Sequence, residues 1–424
     1  MSIVSSDPYL TTPTYPGGAT ETRGYDIAGN LLTFKNRAGA MQTFAYDVRN
    51  REKNNSWSTG SPQTRTLIYD DASRVTACDT ISTHILFTCY KDNLLNSQEE
   101  WTSYFGDNVH HIGSYTYNAD GNRASVGFPG LTLNYGYTSR NQISTVTNAG
   151  NGIVYGSYLY DKNGDMTTRT LNNSVGSSFA YDALNRVTSI THPFANGSRS
   201  LSYGYDEVSN RISEQRNGVA FASIGYDNNS EMTSYSQSGV STSLTYDASG
   251  NRKSVGSTSY GAANTLNQYT TVGGAALSYG GNGNLKTYNG WTYTYDSMNR
   301  LTVASGPGGV TANFYYDGLN RQVARTISGS PTTFSVWDGW TLYAEYTAGN
   351  ILDNLPIHGA GADLIEQSEA GLPTTFIYPD GVGSTAYVAD SAGNLIEKYT
   401  YDLAGTPTVY DPNGVIRPVE RFTT

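Results

Sequence analysis

Charge is scarce in this chain. Of 424 residues only 15% are Asp, Glu, Lys or Arg, and the formal net charge is −10. That balance offers no basic footprint for nucleic acid and argues against anionic membrane surfaces. No apolar run approaches the ~18 residues of a membrane span. The opening MSIVSSDPYLTTPTYPGG has no apolar signal core, so either export uses another route or this is a piece of a longer chain. Cysteine is nearly absent: Cys78 and Cys89 are too far apart for Cys-x-x-Cys redox or zinc chemistry. The five histidines are His84, His110, His111, His192 and His358. Only His110 and His111 are adjacent, and neighbours on a strand point to opposite faces, which disfavours a zinc site or catalytic dyad. There is no Gly-x-Ser-x-Gly elbow. The glycine runs Gly273-Gly274, Gly280-Gly281 and Gly308-Gly309 lack a following Lys-Ser/Thr, so phosphate binding has no support. No stretch sustains helical periodicity. These absences lead to the expectation of a chain with no cofactor, no metal and no enzyme activity.

What is abundant is tyrosine, at 35 residues, and glycine, at 46. The stretch 288–327, YNGWTYTYDSMNRLTVASGPGGVTANFYYDGLNRQVARTI, shows how they are used. Twice a run of β-type residues ends in Tyr-Asp, a short polar segment ends in Asn-Arg, and a second β-type run begins. Before the pair, large side chains alternate, as in Trp291-Thr-Tyr293-Thr-Tyr295, Leu201-Ser-Tyr203-Gly-Tyr205 and Leu133-Asn-Tyr135-Gly-Tyr137. Period two places them on one face of a strand. After the tyrosine, an aspartate is suited to an Asx-turn. Four residues past the tyrosine stands Gly (29, 121, 164, 250, 283, 405) or Asn (50, 141, 185, 299, 320), the two residues most tolerant of positive φ. Each unit therefore reads as a β-hairpin. The repeat residues are Tyr25-Asp26 with Gly29, Tyr46-Asp47, Tyr160-Asp161 with Gly164, Tyr181-Asp182 with Asn185, Tyr205-Asp206, Tyr246-Asp247 with Gly250, Tyr295-Asp296 with Asn299, and Tyr316-Asp317 with Asn320.

Along the chain, residues 1–20 read as an irregular lead-in, 21–330 as the hairpin array and 331–424 as a segment of different texture. Within the array one unit is degenerate, with Tyr90-Lys91 at the expected position, and residues 256–278 form a Gly/Ala/Ser/Thr-rich insertion that breaks the pattern. The fold class expected is all-β: hairpins at a period of about 20–23 residues in one long, coiled, antiparallel sheet. With 37% apolar residues, a wall wetted on both sides suits the pattern better than a dry sandwich. Open sheet edges are candidate sites of self-association.

The recurring Tyr-Asp-x-x-Gly-Asn-Arg and Tyr-Asp-x-x-Asn-Arg turns resemble the YD-repeat family, over about residues 25–416. Its members include bacterial rearrangement-hotspot (Rhs) proteins, shell components of insecticidal toxin complexes, and animal teneurins. Val336-Trp337-Asp338-Gly339-Trp340, Leu342-Tyr343-Ala344-Glu345-Tyr346 and Asp380 through Thr385 leading into Tyr401-Asp402 resemble the Rhs-associated core. The resemblance implies a hollow shell, or part of one, that encloses or presents a toxic polypeptide in a secreted or surface-delivered bacterial protein. It implies a polypeptide cargo, or an adjoining segment of a longer chain, as partner, with neither nucleic acid nor membrane insertion. On this resemblance 331–424 is expected to be a core-like segment truncated before the aspartate-bearing part that cuts the chain in family members. An extended adhesion or glycan-binding repeat protein is the alternative.

Simpler readings stand beside sharper ones. Tyrosines at this period ladder across neighbouring strands more readily than they form a sugar-binding surface. Asn118-Ala-Asp120-Gly-Asn122 and Asp161-Lys-Asn163-Gly-Asp165 resemble calcium loops superficially, but lack the glutamate such loops use. Cys78 and Cys89, suitably spaced for opposite arms of a hairpin, are either a disulfide or two half-buried thiols.

Overall fold

The computed structural model describes residues 12–59, 64–106, 109–128 and 130–417. The first eleven residues of the expected lead-in, and 418–424 of the C-terminal segment, lie outside the described residues. Among those described the regular structure is strand joined by turns, apart from single turns of 3-10 helix at Tyr104–Gly106, Pro307–Gly309 and Ala360–Ala362. The observed ladders are antiparallel, formed between strands consecutive in sequence. The hairpins belong to two long sheets, of 23 and 15 strands, rather than to a single one. The change falls between Thr258–Ser259 and Thr271–Val272, inside the Gly/Ala/Ser/Thr-rich insertion.

The hairpins form because each run alternates. In Leu131–Tyr137, Leu131 and Leu133 are buried while Thr132 and Asn134 are exposed. Most motif tyrosines sit at a register shift: Gly24 pairs Thr33 but Tyr25 pairs Leu31, and the same step occurs at Tyr46, Tyr69, Tyr160, Tyr181 and Tyr205, whereas Tyr401 pairs Pro407 in unbroken register. A bulge of this kind, one extra residue on the return strand, bends the ladder at a defined place.

Two compact units result. One comprises Met1–Ile112, Thr245–Val336 and Tyr346–Ile351; the other comprises Gly113–Leu244, Trp337–Glu345 and Leu352–Thr424. Each takes strands from both sheets. In the first unit Tyr315 packs between Tyr104 and Phe105, at ring-centroid distances of 4.8 and 5.1 Å. In the second, Ile377, Val388, Tyr399 and Val409 form a buried cluster, and Phe194 meets Tyr378 edge-on at 4.9 Å.

The second unit corrects the expectation of a wall wetted on both sides. Tyr115, Tyr158, Tyr378 and Tyr387 are each no more than 2% exposed there. Tyrosine counts as a polar residue in a hydropathy average, here −0.45, yet its ring carries a large apolar area. Buried aromatics of this size dominate a core's energetics.

Candidate functional site

The feature that recurs most regularly is the row of turns, and its chemistry follows from the motif. In the first turn Asp26 N–H donates to the Asn30 carbonyl at 3.0 Å, and Gly29 N–H returns to the Asp26 carbonyl at 3.1 Å. One carboxylate oxygen of Asp26 accepts from the backbone of Ala28 and Asn30, and the other accepts from the Asn30 side chain, each at 2.9 Å. Where Arg replaces that Asn, its Nε makes the same bond at 2.7 Å: Arg51 to Asp47, Arg186 to Asp182, Arg300 to Asp296 and Arg321 to Asp317. The fourth residue past the tyrosine has positive φ in every case: 84° at Gly29, 96° at Gly164, 79° at Gly250, 59° at Asn185, 63° at Asn299 and 70° at Asn320. Hydrogen bonds to the anion favour it. The Arg51 side chain, with the turn amides, pulls the Asp47 carboxyl down to about 2, and Asn30 lowers that of Asp26. In Asp161-Lys-Asn163-Gly-Asp165, one Asp161 oxygen accepts from the amides of Asn163, Gly164 and Asp165. The turn itself uses this oxygen.

The remaining groups join one turn to the next. The motif tyrosine hydroxyl donates to a backbone carbonyl at the start of the preceding unit's return strand: Tyr46 to Leu31 (2.9 Å), Tyr160 to Ile143 (2.8 Å), Tyr181 to Met166 (2.9 Å), Tyr205 to Val187 (2.8 Å) and Tyr316 to Leu301 (2.7 Å). Burial raises the titration of these phenols above the ordinary range. The arginine completes the link. Arg186 bonds the Asp206 carbonyl at 2.9 Å while its guanidinium lies 4.7 Å from the Tyr205 ring centre. Arg300 reaches Asn320 at 3.1 Å and lies 4.7 Å from the Tyr316 ring centre. Asn210 and Asn251 make shorter versions of the same bridge, to Ser230 and Asn267. Tyr, Asp, Gly/Asn and Arg/Asn therefore form a staple between successive hairpins.

Some turns of this kind lack the Tyr-Asp pair. The degenerate unit is displaced by one residue from the expected Tyr90-Lys91. Cys89 holds the tyrosine place, pairing with Leu95 across the bulge, and Tyr90 holds the aspartate place. Asn93, at φ 70°, sets this frame because it is the residue able to take the left-handed turn position. Inside the 256–278 insertion, Asn264 accepts from Leu266 and Gln268, and Asn267 has φ 59°. This is a staple turn with Ala263 in place of tyrosine. Asn at the aspartate place was the available signal. Cys78 and Cys89 are free thiols. The ladder sets Cys78 opposite Ile85 and Cys89 opposite Leu95, and burial pushes the Cys78 thiol up to about 12. Of the adjacent histidines, His110 stacks on Trp101 at 4.4 Å, whereas His111 is buried against Tyr346 at 4.7 Å.

With this geometry in view, comparison with known proteins identifies the repeats. A family model for the teneurin YD-shell matches residues 221–333, and one for the RHS repeat matches 160–196. Over those residues the chain is similar to YD-shell and RHS-repeat proteins. In fold it is similar to a chain in the crystal structure of TcdB2-TccC3, with a TM-score of 0.77, 15% identity, and coverage of 96% of this chain and 25% of that one. It is also similar to a chain of the Tc holotoxin pore of Photorhabdus luminescens, with a TM-score of 0.73, 13% identity, and coverage of 94% and 24%. Among curated proteins it is similar to the tRNA3(Ser)-specific nuclease WapA of Bacillus spizizenii, 31% identical over 175 residues, which are 39% of this chain and 7% of that protein. It is 29% identical to the tRNA nuclease WapA of Bacillus subtilis (strain 168) over the same fractions. The chain thus spans about a quarter of the solved chains and about 7% of the curated relatives. These relatives overturn one expectation. The expectation of no enzyme activity is contradicted by relatives named tRNA nucleases, matched over 39% of this chain. The YD-shell and RHS-repeat matches support a structural, shell-type role for the repeats.

Proposed function

We propose that this YD-repeat chain forms wall of a hollow shell that encloses a polypeptide, and that the enclosed polypeptide carries an enzymatic activity of the nuclease class. The observation that carries the reading is the fold likeness to toxin-complex chains over nearly the whole length, joined to a staple that lets hairpins be added one after another without a closing element. The names of the curated relatives support a nuclease acting on tRNA as the cargo. The repeat residues from Tyr25 to Asn320 act as architecture, and the protein is secreted or delivered to a cell surface.

Small-angle scattering on the purified chain, paired with limited proteolysis of the chain together with its cargo segment, tests this. A solvent-filled particle that protects the cargo is expected. An elongated solid rod with an unprotected cargo segment overturns it. That outcome favours the adhesion reading, for which the teneurin YD-shell match over 221–333 is the supporting observation. Against that second reading, many motif tyrosine hydroxyls are already spent on backbone carbonyls, and so are not available to a glycan.

A further inference from the structure

Buried glutamates in the second unit are met by partners, with one exception. Glu214 receives Arg216 at 2.8 Å. Glu397 receives Arg417 at 3.2 Å and the Tyr399 hydroxyl at 2.9 Å. Glu366 is as deep, at 6% exposure, yet it forms no ion pair among the described residues. Its Oε2 is buried with no hydrogen-bond partner among the described residues. Its neighbours across the ladder are Ile357 and Phe376. The charged groups on the elements around it are engaged elsewhere or carry the same sign. Asp363 pairs with Arg169 at 2.6 Å, Glu369 accepts from Gln367, and Glu345 accepts from Asn354. Asp353 and Asp380, on or beside the flanking strands, are acidic, and His358, at the end of the paired strand, bonds the Leu342 carbonyl at 3.0 Å.

An apolar site without a paired cation favours the uncharged form of a carboxyl. We propose that Glu366 is a proton-operated catch: strand Leu364–Glu369 seats against its partner strands Ile351–His358 and Thr375–Pro379 while the carboxyl is neutral, and loosens when it is charged. Burial pushes its titration from the ordinary 4.5 up to about 7, which agrees with that geometry. The folded chain therefore holds the proton over a range in which the unfolded chain releases it. The stability that Glu366 itself contributes is fully present below about pH 4.5, falls as pH rises to about 7, and is level above; the buried His192, whose titration burial pushes down to about 3, contributes in the opposite sense over part of that window. The catch does not depend on whether a polypeptide is enclosed.

The test is urea unfolding of the whole chain at several pH values between about 4.5 and 8, for the wild type and for Glu366→Gln, whose neutral amide keeps the shape. Relative to Glu366→Gln, the wild type is expected to lose on the order of a hundredfold in its folding equilibrium across the window, a comparison in which the contribution of His192 cancels. Parallel curves for the two proteins overturn the proposal. If Glu366→Gln does not fold, the infrared band of protonated carboxyl groups in the wild type decides instead. A band that persists at pH 6 and disappears by pH 8 supports the catch, and no protonated carboxyl at pH 6 overturns it.

Discussion

Two turns of the first unit share one motif and differ in what their arginines do. Around Asp47 and around Asp317 the local bonds agree: one carboxylate oxygen takes the amides two and four residues on, and Arg Nε meets the other oxygen at 2.7 Å. Beyond Nε they diverge. Arg51 stays at the surface, 21% exposed, bonding the Asp70 carbonyl and Ser73 of the next turn and lying 4.4 Å from the Tyr69 ring centre. Arg321, 1% exposed, meets Glu100 of the other sheet at 2.9 Å. The local sequence sets the turn and the first bond of the arginine. What the outer nitrogens find depends on which strands lie opposite.

The largest effect is expected at the buried turn. Arg321→Ala strands Asp317 and Glu100 without their cation and should cost about 3–5 kcal/mol, read as the loss of unfolding free energy in urea. Next come the left-handed positions, where the two turns should agree. Asn50→Val and Asn320→Val, at φ 58° and 70°, should each cost about 1–3 kcal/mol, because the strain is local; a large gap between them would mean that packing, not the turn, governs this position. Tyr69→Phe keeps the ring beneath Arg51 and removes only the hydroxyl that donates to the Glu52 carbonyl at 2.7 Å, for about 1 kcal/mol. Arg51→Ala should cost least, about 0.5–1 kcal/mol, as an exposed ion pair with a ring contact does. A double-mutant cycle with Tyr69→Phe separates its stacking from its hydrogen bonds.

Much of this arrangement was legible because it is local. A Tyr-Asp pair with Gly250 or Asn185 placed four residues past the tyrosine marks a chain reversal on steric grounds alone. Alternation before the pair marks a strand. Less legible were turns whose side chains substitute by function rather than identity, such as Cys89-Tyr90 and Ala263-Asn264, since Asn264 accepts the same amides as an aspartate but does not look like the motif. The tyrosine hydroxyls were foreseen as a ladder of rings. Their acceptors are carbonyls, and every residue has one, so no residue type announced them.

By itself, then, the sequence determined the hairpins, their polarity and the position of each reversal, because those depend on sterics and hydrogen bonds within a span of about six residues. Only the tertiary structure decided that the strands divide between two sheets, that Arg321 is buried while Arg51 is not, and that Glu366 lies in an apolar site without a cation. Those outcomes depend on which distant strands face one another. In a chain of near-identical units the local pattern is the same at every repeat, so the choice of neighbour is written in the packing of the whole and not in any one turn.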